Sequence, residues 1–233
     1  MLTKTKTVII LAATFLMAPN FLNGQVQEER NIDALIEAKH SYKVNYNYEE
    51  IEGSPYLKKD FSESIIYYSD KNKNVKKPLR YNLFTGKFEM KSDNFTYVLN
   101  KDEKVGYIKY LGEVYKLLNY KTEDGKKQKG YLIQLVEGNY PLYKKIKVQY
   151  FNAQEPTSGY DTYEPPKFKR MNDSYFIGLS KDEIIEIESY WKRKFLRLYF
   201  KSQKSELLDY IKDKNINLRK ENELIQFFKY INK

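Results

Sequence analysis

The chain has 233 residues, a net charge of +10, 23 tyrosines, 13 phenylalanines and no cysteine. Without cysteine there is no disulfide, no thiolate nucleophile, no cysteine-ligated zinc and no lipid anchor carried on a cysteine. A chain of this length buries one good-sized core or two small ones.

In chain order, Lys4 and Lys6 precede an apolar run from Val8 to Ala18, then Pro19-Asn20 and Leu22-Asn23-Gly24. A basic start, a short apolar stretch and a small residue before Gln25 predict a signal peptide over residues 1–24. The run is too short to span a bilayer, which takes about 20 apolar residues. An exported chain free of disulfides suits a bacterial envelope. Residues 25–42 are expected to form an N-terminal arm or short helix, with Ile32, Leu35 and Ile36 at helical spacing.

From Lys43 the texture changes. Val44, Tyr46 and Tyr48 alternate with Lys43, Asn45 and Asn47, the period of a half-buried strand. Further strands are predicted at 64–69, 79–84, 88–91, 95–99, 105–111, 114–120, 130–135 and 142–151. Turn signals separate them: Thr85-Gly86, Leu111-Gly112, Glu123-Asp124-Gly125 and Glu137-Gly138-Asn139. Short connections favour antiparallel hairpins. Residues 152–166 are a Pro-rich acidic loop. Segments 168–171 and 175–179 flank Asn172-Asp173 and read as a hairpin. Ser180 with Glu183 has the form of a helix capping box. Yet Ile185 and Ile187 alternate with Glu186 and Glu188, so we read a strand to Glu188 and place Ser189 as the N-cap of the next helix.

Residues 189–233 are expected to be helical. Phe195, Leu196, Leu198 and Tyr199 form one apolar stripe, and Leu207, Leu208, Tyr210 and Ile211 a second. After a break at Asn215-Ile216-Asn217, a third helix carries Leu224, Ile225, Phe227, Phe228 and Ile231. Short amphipathic helices are not stable alone and must pack on each other or on the sheet. The fold class expected is therefore α+β. An antiparallel β-rich body of about 8–11 strands over residues 43–188, barrel-like or a curved sheet or sandwich, precedes a C-terminal bundle of short helices.

No catalytic constellation stands out. His40 is the single histidine and has no nucleophile motif near it, and a zinc site needs two or more His or Cys. No Gly-rich phosphate loop and no alternation of strand and helix occur. Paired carboxylates remain: Glu49, Glu50 and Glu52, or Asp182, Glu183, Glu186 and Glu188. A glycosidase needs two acids held about 5–10 Å apart, and sugars stack on Tyr platforms. That makes a glycan-binding protein or glycan hydrolase the alternative reading. Arg80, between Leu79 and Tyr81, is expected to pair with an acid on a neighbouring strand or to stack on tyrosines. The charge surplus gathers near the end. Lys192, Arg193, Lys194, Arg197, Lys201 and Lys204 follow one another with no acid among them, a run that suits an acidic partner or an anionic membrane surface.

Several words in the sequence carry a likeness: Gly53-Ser54-Pro55-Tyr56-Leu57, Pro78-Leu79-Arg80-Tyr81-Asn82, Gly130-Tyr131, Leu142-Tyr143-Lys144-Lys145 and the ending from Glu223 to Asn232. Together they resemble a group of uncharacterised exported proteins of Bacteroidota. The likeness spans 43–232 and implies a lineage and an exported compartment, but no activity. It also tilts 175–188 toward a hairpin. Exported cargo of that phylum often ends in a strand-rich sorting domain, which the helical end here does not resemble, so the periplasm is expected ahead of the extracellular medium. The reading is a non-enzymatic envelope protein without cofactor or metal: a periplasmic binding or accessory module whose basic tail meets another envelope protein or the membrane surface. Export argues against nucleic acid.

Overall fold

Alternating burial builds most of this structure. The computed structural model describes residues 41–44 and 47–233, apart from 93, 102, 103, 157–161, 181, 189 and 191. Along β2 (Ser62–Tyr68), Ser64, Ile66 and Tyr68 are buried while their neighbours are not, the two-residue period of a sheet with one face on a core. The other strands are β1 (Ser41–Val44), β3 (Lys73–Asn82), β4 (Lys87–Ser92), β5 (Phe95–Leu99), β6 (Val105–Tyr110), β7 (Glu113–Lys121), β8 (Lys127–Val136), β9 (Leu142–Lys145), β10 (Val148–Phe151), β11 (Lys167–Arg170), β12 (Ser174–Ser180) and β13 (Glu183–Glu186).

Eleven of these strands form one sheet in the order β1-β5-β4-β3-β2-β6-β7-β13-β12-β9-β8, and β8 returns to pair with β7. Strands β7, β8, β9, β12 and β13 thereby close a five-stranded barrel. Each pairs antiparallel with the next. Five alternating strands leave the first and last pointing the same way, so the closing pair must be parallel. It is, through Ile185 and Lys121. Strand β7 holds β8 along one edge from Tyr115 to Lys121. Its other edge is shared, with β6 near Glu113–Tyr115 and β13 at Lys121.

The barrel interior is filled from all five strands by Leu118, Tyr120, Leu132, Tyr143, Phe176 and Ile184. Residues 130–133 of β8 are buried without alternation, because each face of this strand meets a core. Leu132 points into the barrel. Tyr131 points the other way, its ring 5.0 Å from Phe88 and 6.4 Å from Tyr81. This second core, between β3–β4 and β6–β8, is aromatic: Tyr81, Phe88, Tyr110, Tyr115 and Tyr131 are all buried.

The chain ends in helices α1 (Lys192–Tyr199), α2 (Lys204–Asp213) and α3 (Glu221–Ile231), with a 3-10 turn at Lys201–Gln203. They bury Phe195, Leu196, Phe200, Leu207, Ile211, Leu224, Phe227 and Phe228 against Val136, Leu142, Ile177 and Ile187 of the body. Tyr210 and Tyr230 stack face to face at 3.6 Å between α2 and α3. Helix α3 is fastened at both ends. At its far end the Asn232 amide exchanges two hydrogen bonds with the Tyr140 backbone, at 2.8 and 2.9 Å. Gly138 lies beneath it with φ +135, and a Cβ there would stand 2.4 Å from Asn232 Oδ1.

At its start, Glu221 accepts from Lys144 Nζ at 3.0 and 2.8 Å and from the Tyr175 hydroxyl at 2.6 Å. Burial alone would raise the Glu221 pKa, but the Lys144 and Tyr175 hydrogen bonds and the Lys144 charge outweigh it and hold the carboxyl below 4.5. A carboxylate with a depressed native pKa stabilises the fold above its unfolded value, and that contribution fades as pH falls through the native one. Glu221→Gln is therefore expected to lower stability at pH 7 and to flatten the loss of stability below about pH 4.5. Urea unfolding of both proteins at pH 7, 5 and 3 checks this. Parallel curves at all three values would show that Glu221 does not act through its charge.

The α+β class, the β body and the helical end agree with expectation, and the body is a barrel with an extended sheet. Several details differ. The strand expected from Lys43 lies at Ser41–Val44, and residues 47–50 turn instead. The single strand expected at 142–151 is two, since β10 leaves the barrel to pair with β11. Segments 168–171 and 175–179 do not pair with each other: β11 belongs to β10, and β12 to β9 and β13. The hairpin over 175–188 is present as β12–β13, so the capping box opens no helix, as expected, but the second strand ends at Glu186 and not at Glu188. Strand β3 also runs through Pro78, where it pairs with β2 on one edge, and its pairing with β4 on the other begins only at Leu79. A missing N–H is tolerated at such an open edge. The expected signal peptide, residues 25–40 of the expected arm, and Ser189 lie outside the described residues, while Ser41 and Tyr42, expected to end the arm, are strand paired with β5.

Candidate functional site

Helix α1 turns Phe195 and Leu196 inward, both at 0 % exposure. A 100° step per residue then carries Arg193, Lys194 and Arg197 to the outer side, and all three are exposed. Lys201 continues that side into the 3-10 turn and is exposed, while Lys204 opens α2 half-buried. Lys192 begins α1, but its side chain is outside the described ones. Among the described residues, the run predicted from the sequence thus gives four exposed cations and one partly covered one. Leu198 departs from expectation. It belongs to no buried stripe but is 42 % exposed, one turn beyond Lys194 on the same side.

The electrostatics of α1 run against its own stability. It has no acid in its first turn, where the helix dipole favours negative charge; Arg193 and Lys194 stand there instead. Arg193 and Arg197 are four residues apart, a like-charged pair that costs a few tenths of a kcal/mol. Helix α3, by contrast, has Glu221 and Glu223 in its first turn and Lys229 in its last. Helix α2 has Glu206 first and Lys212 last. Among the described residues, no carboxylate forms an ion pair with Arg193, Lys194, Arg197 or Lys201. The helix is anchored from behind. The Tyr199 hydroxyl accepts the Glu188 N–H at 3.0 Å, and burial pushes the pKa of that hydroxyl up.

The sequence matches no family model, no curated protein and no solved structure.

The acids singled out from the sequence are dispersed. Glu49, Glu50 and Glu52 are exposed at a turn, and Asp182 and Glu183 are exposed at the β12–β13 turn. Glu186 is partly buried and occupied: it accepts from the Ser174 hydroxyl and from the Glu123 N–H, with Lys147 Nζ 3.8 Å away. Among the described residues no group of three His, Cys, Asp or Glu is placed to hold a metal ion, and no helix is long and apolar enough to cross a membrane.

Arg80 does both things expected of it. It donates to Glu89 Oε2 from Nε at 2.8 Å and from Nη2 at 2.7 Å. Its guanidinium lies 4.1 Å from the Tyr56 ring centre and 4.5 Å from that of Phe61. Glu89 is fully buried and also accepts from Asn82 Nδ2 at 3.0 Å. Burial and the Glu89 charge push the Tyr56 hydroxyl pKa up. This cage neutralises its own charge, which makes it structural.

Proposed function

We propose that the protein is a non-enzymatic envelope protein, an exported binding or accessory module whose α1 face docks on an anionic surface. The observation that carries this reading is the conflict within α1. The helix keeps Arg193 and Lys194 in its first turn, the dipole end that disfavours them, where its neighbours carry acids, and the row these two begin with Arg197 and Lys201 has no carboxylate ion-pair partner among the described residues. A locally unfavourable arrangement without an internal partner is what a binding face requires. Leu198 in the middle of the row adds an apolar contact of the kind used at a headgroup boundary.

The test is co-sedimentation with vesicles of anionic or zwitterionic lipid. Binding to anionic vesicles that weakens as salt rises is expected, because exposed charges are screened beyond about 10 Å at 0.1 M. Each cation near such a surface contributes about 1 kcal/mol, so the fourfold variant Arg193→Gln, Lys194→Gln, Arg197→Gln, Lys201→Gln should bind at least about tenfold more weakly. Capture on immobilised polyglutamate but not on vesicles would assign the face to an acidic protein. Equal retention of wild type and variant on either support would remove the role.

A further inference from the structure

One end of the barrel gathers several lysines. A cleft of about 480 Å³ opens there, lined by Asn119, Tyr120, Lys121, Lys127, Gln128 and Lys129 on one side and by Asp182, Glu183 and Ile184 on the other. Two half-buried lysines bond to its walls. Lys145 Nζ donates to the Tyr120 hydroxyl at 2.6 Å and to Gln128 Oε1 at 3.4 Å. The Tyr120 hydroxyl in turn donates to Gln128 Oε1 at 2.9 Å. Lys101 Nζ donates to the Lys129 carbonyl at 2.8 Å. Each ammonium has three protons to donate, and neither meets a carboxylate among the described residues.

The charges here disfavour one another. Burial, then the ammoniums of Lys145, Lys87 and Lys129, push the Lys101 pKa down. Burial also pushes Lys145 down. Glu186 opposes this from a distance, but its oxygens are already engaged by Ser174 and the Glu123 N–H. A partly desolvated cation is costly unless it is paired. Two of them converge beside an open cleft, with a hydroxyl and an amide held rigidly between the strands.

We propose that this end of the barrel binds a small oxyanion group between Lys101 and Lys145, with Tyr120 and Gln128 fixing its position. Phosphate, sulfate and carboxylate share the needed chemistry: several acceptor oxygens and a negative charge to complement charge-assisted donors. Asp182 and Glu183 on the facing wall favour a compact anion seated against the lysine wall. The site is separate from the α1 face and does not rest on it.

The experiment is an amide chemical-shift titration of the full chain with inorganic phosphate, sulfate and acetate in turn, at constant ionic strength. Saturable shifts centred on Lys101, Gln128 and Lys129 are expected, and the anion that saturates at the lowest concentration names the group. Lys145→Met and Lys101→Met should each weaken that binding about tenfold, the usual cost of a lost charged partner. The fourfold α1 variant should bind the anion as wild type does, which separates this site from the docking face. Thermal unfolding of each Met variant confirms that it is folded. Shifts that rise linearly without saturation for all three anions, or saturation unchanged in both folded Met variants, would overturn the proposal.

Discussion

Arg80→Ala is expected to cost about 3–5 kcal/mol of stability, the usual result of leaving a buried charge without its partner. Glu89 has no exposure to water, and Arg80 supplies two of the hydrogen bonds that its carboxylate accepts. With the guanidinium gone, the carboxylate keeps neutral donors, Asn82 Nδ2 at 3.0 Å and the Tyr56 hydroxyl, and the Tyr56 and Phe61 rings lose the cation they enclose. The loss should show as a lower midpoint in guanidinium unfolding. The double variant Arg80→Met, Glu89→Met should recover most of it, because a buried ion pair replaced by apolar side chains of similar size is often near neutral. A loss under about 1 kcal/mol for Arg80→Ala would mean that water reaches Glu89 and that the cage does not hold β3 to β4 through a buried charge pair.

Arg80 and Glu89 also show where sequence reasoning stops. The pairing of Arg80 with an acid on the next strand was legible, since alternation puts Leu79 and Tyr81 on one face and Arg80 on the other. The burial of Glu89 was not. It lies opposite Arg80 in the β3–β4 register, on the face that alternation assigns to solvent. That face is covered by Tyr56 and Phe61, from a segment without strand or helix, and nothing local in the sequence predicts where such a segment lies down. The same distinction separates the other successes and failures. Hairpins β6–β7 and β7–β8 follow from period-two strands and from Gly112 and Gly125, which take φ +84 and +80. Barrel closure rests on Ile185 meeting Lys121, a contact between distant positions with no local signal. The pairing of β10 with β11 is likewise a choice among partners, made across the 152–166 loop. In the basic tail, composition disclosed the cations and the helix period disclosed their exposure. The outward turn of Leu198 depended on how α1 rolls against the body. The Lys101–Lys145 pair was beyond reach, because 43 intervening positions and three strand pairings bring those amines to one cleft.

Phe88→Ala is expected to be as damaging as the loss of Arg80, for a different reason. The ring is fully buried and stands nearly perpendicular to Tyr110, Tyr115 and Tyr131, at 5.5, 5.1 and 5.0 Å. Tyr81 lies 4.6 Å away on the same core. Edge-to-face contacts of this kind add about 0.5–1.5 kcal/mol each beyond the buried area. Four rigid rings cannot collapse into the space that Phe88 leaves, so the cavity persists and the full penalty of about 3–5 kcal/mol applies. A domain is stable by about 5–15 kcal/mol, and the variant should unfold at a much lower denaturant concentration. Phe88→Leu keeps most of the volume and should lose less. Tyr115→Phe is the informative counterpart. Its buried hydroxyl has no hydrogen-bond partner among the described residues, so removing that oxygen costs no bond and should be neutral or stabilising. The pair of results separates ring packing from hydroxyl chemistry. If Tyr115→Phe destabilised as much as Phe88→Ala, a buried water or other polar partner would have to sit at that hydroxyl, and the core would be a hydrated tyrosine cluster instead of a dry aromatic one.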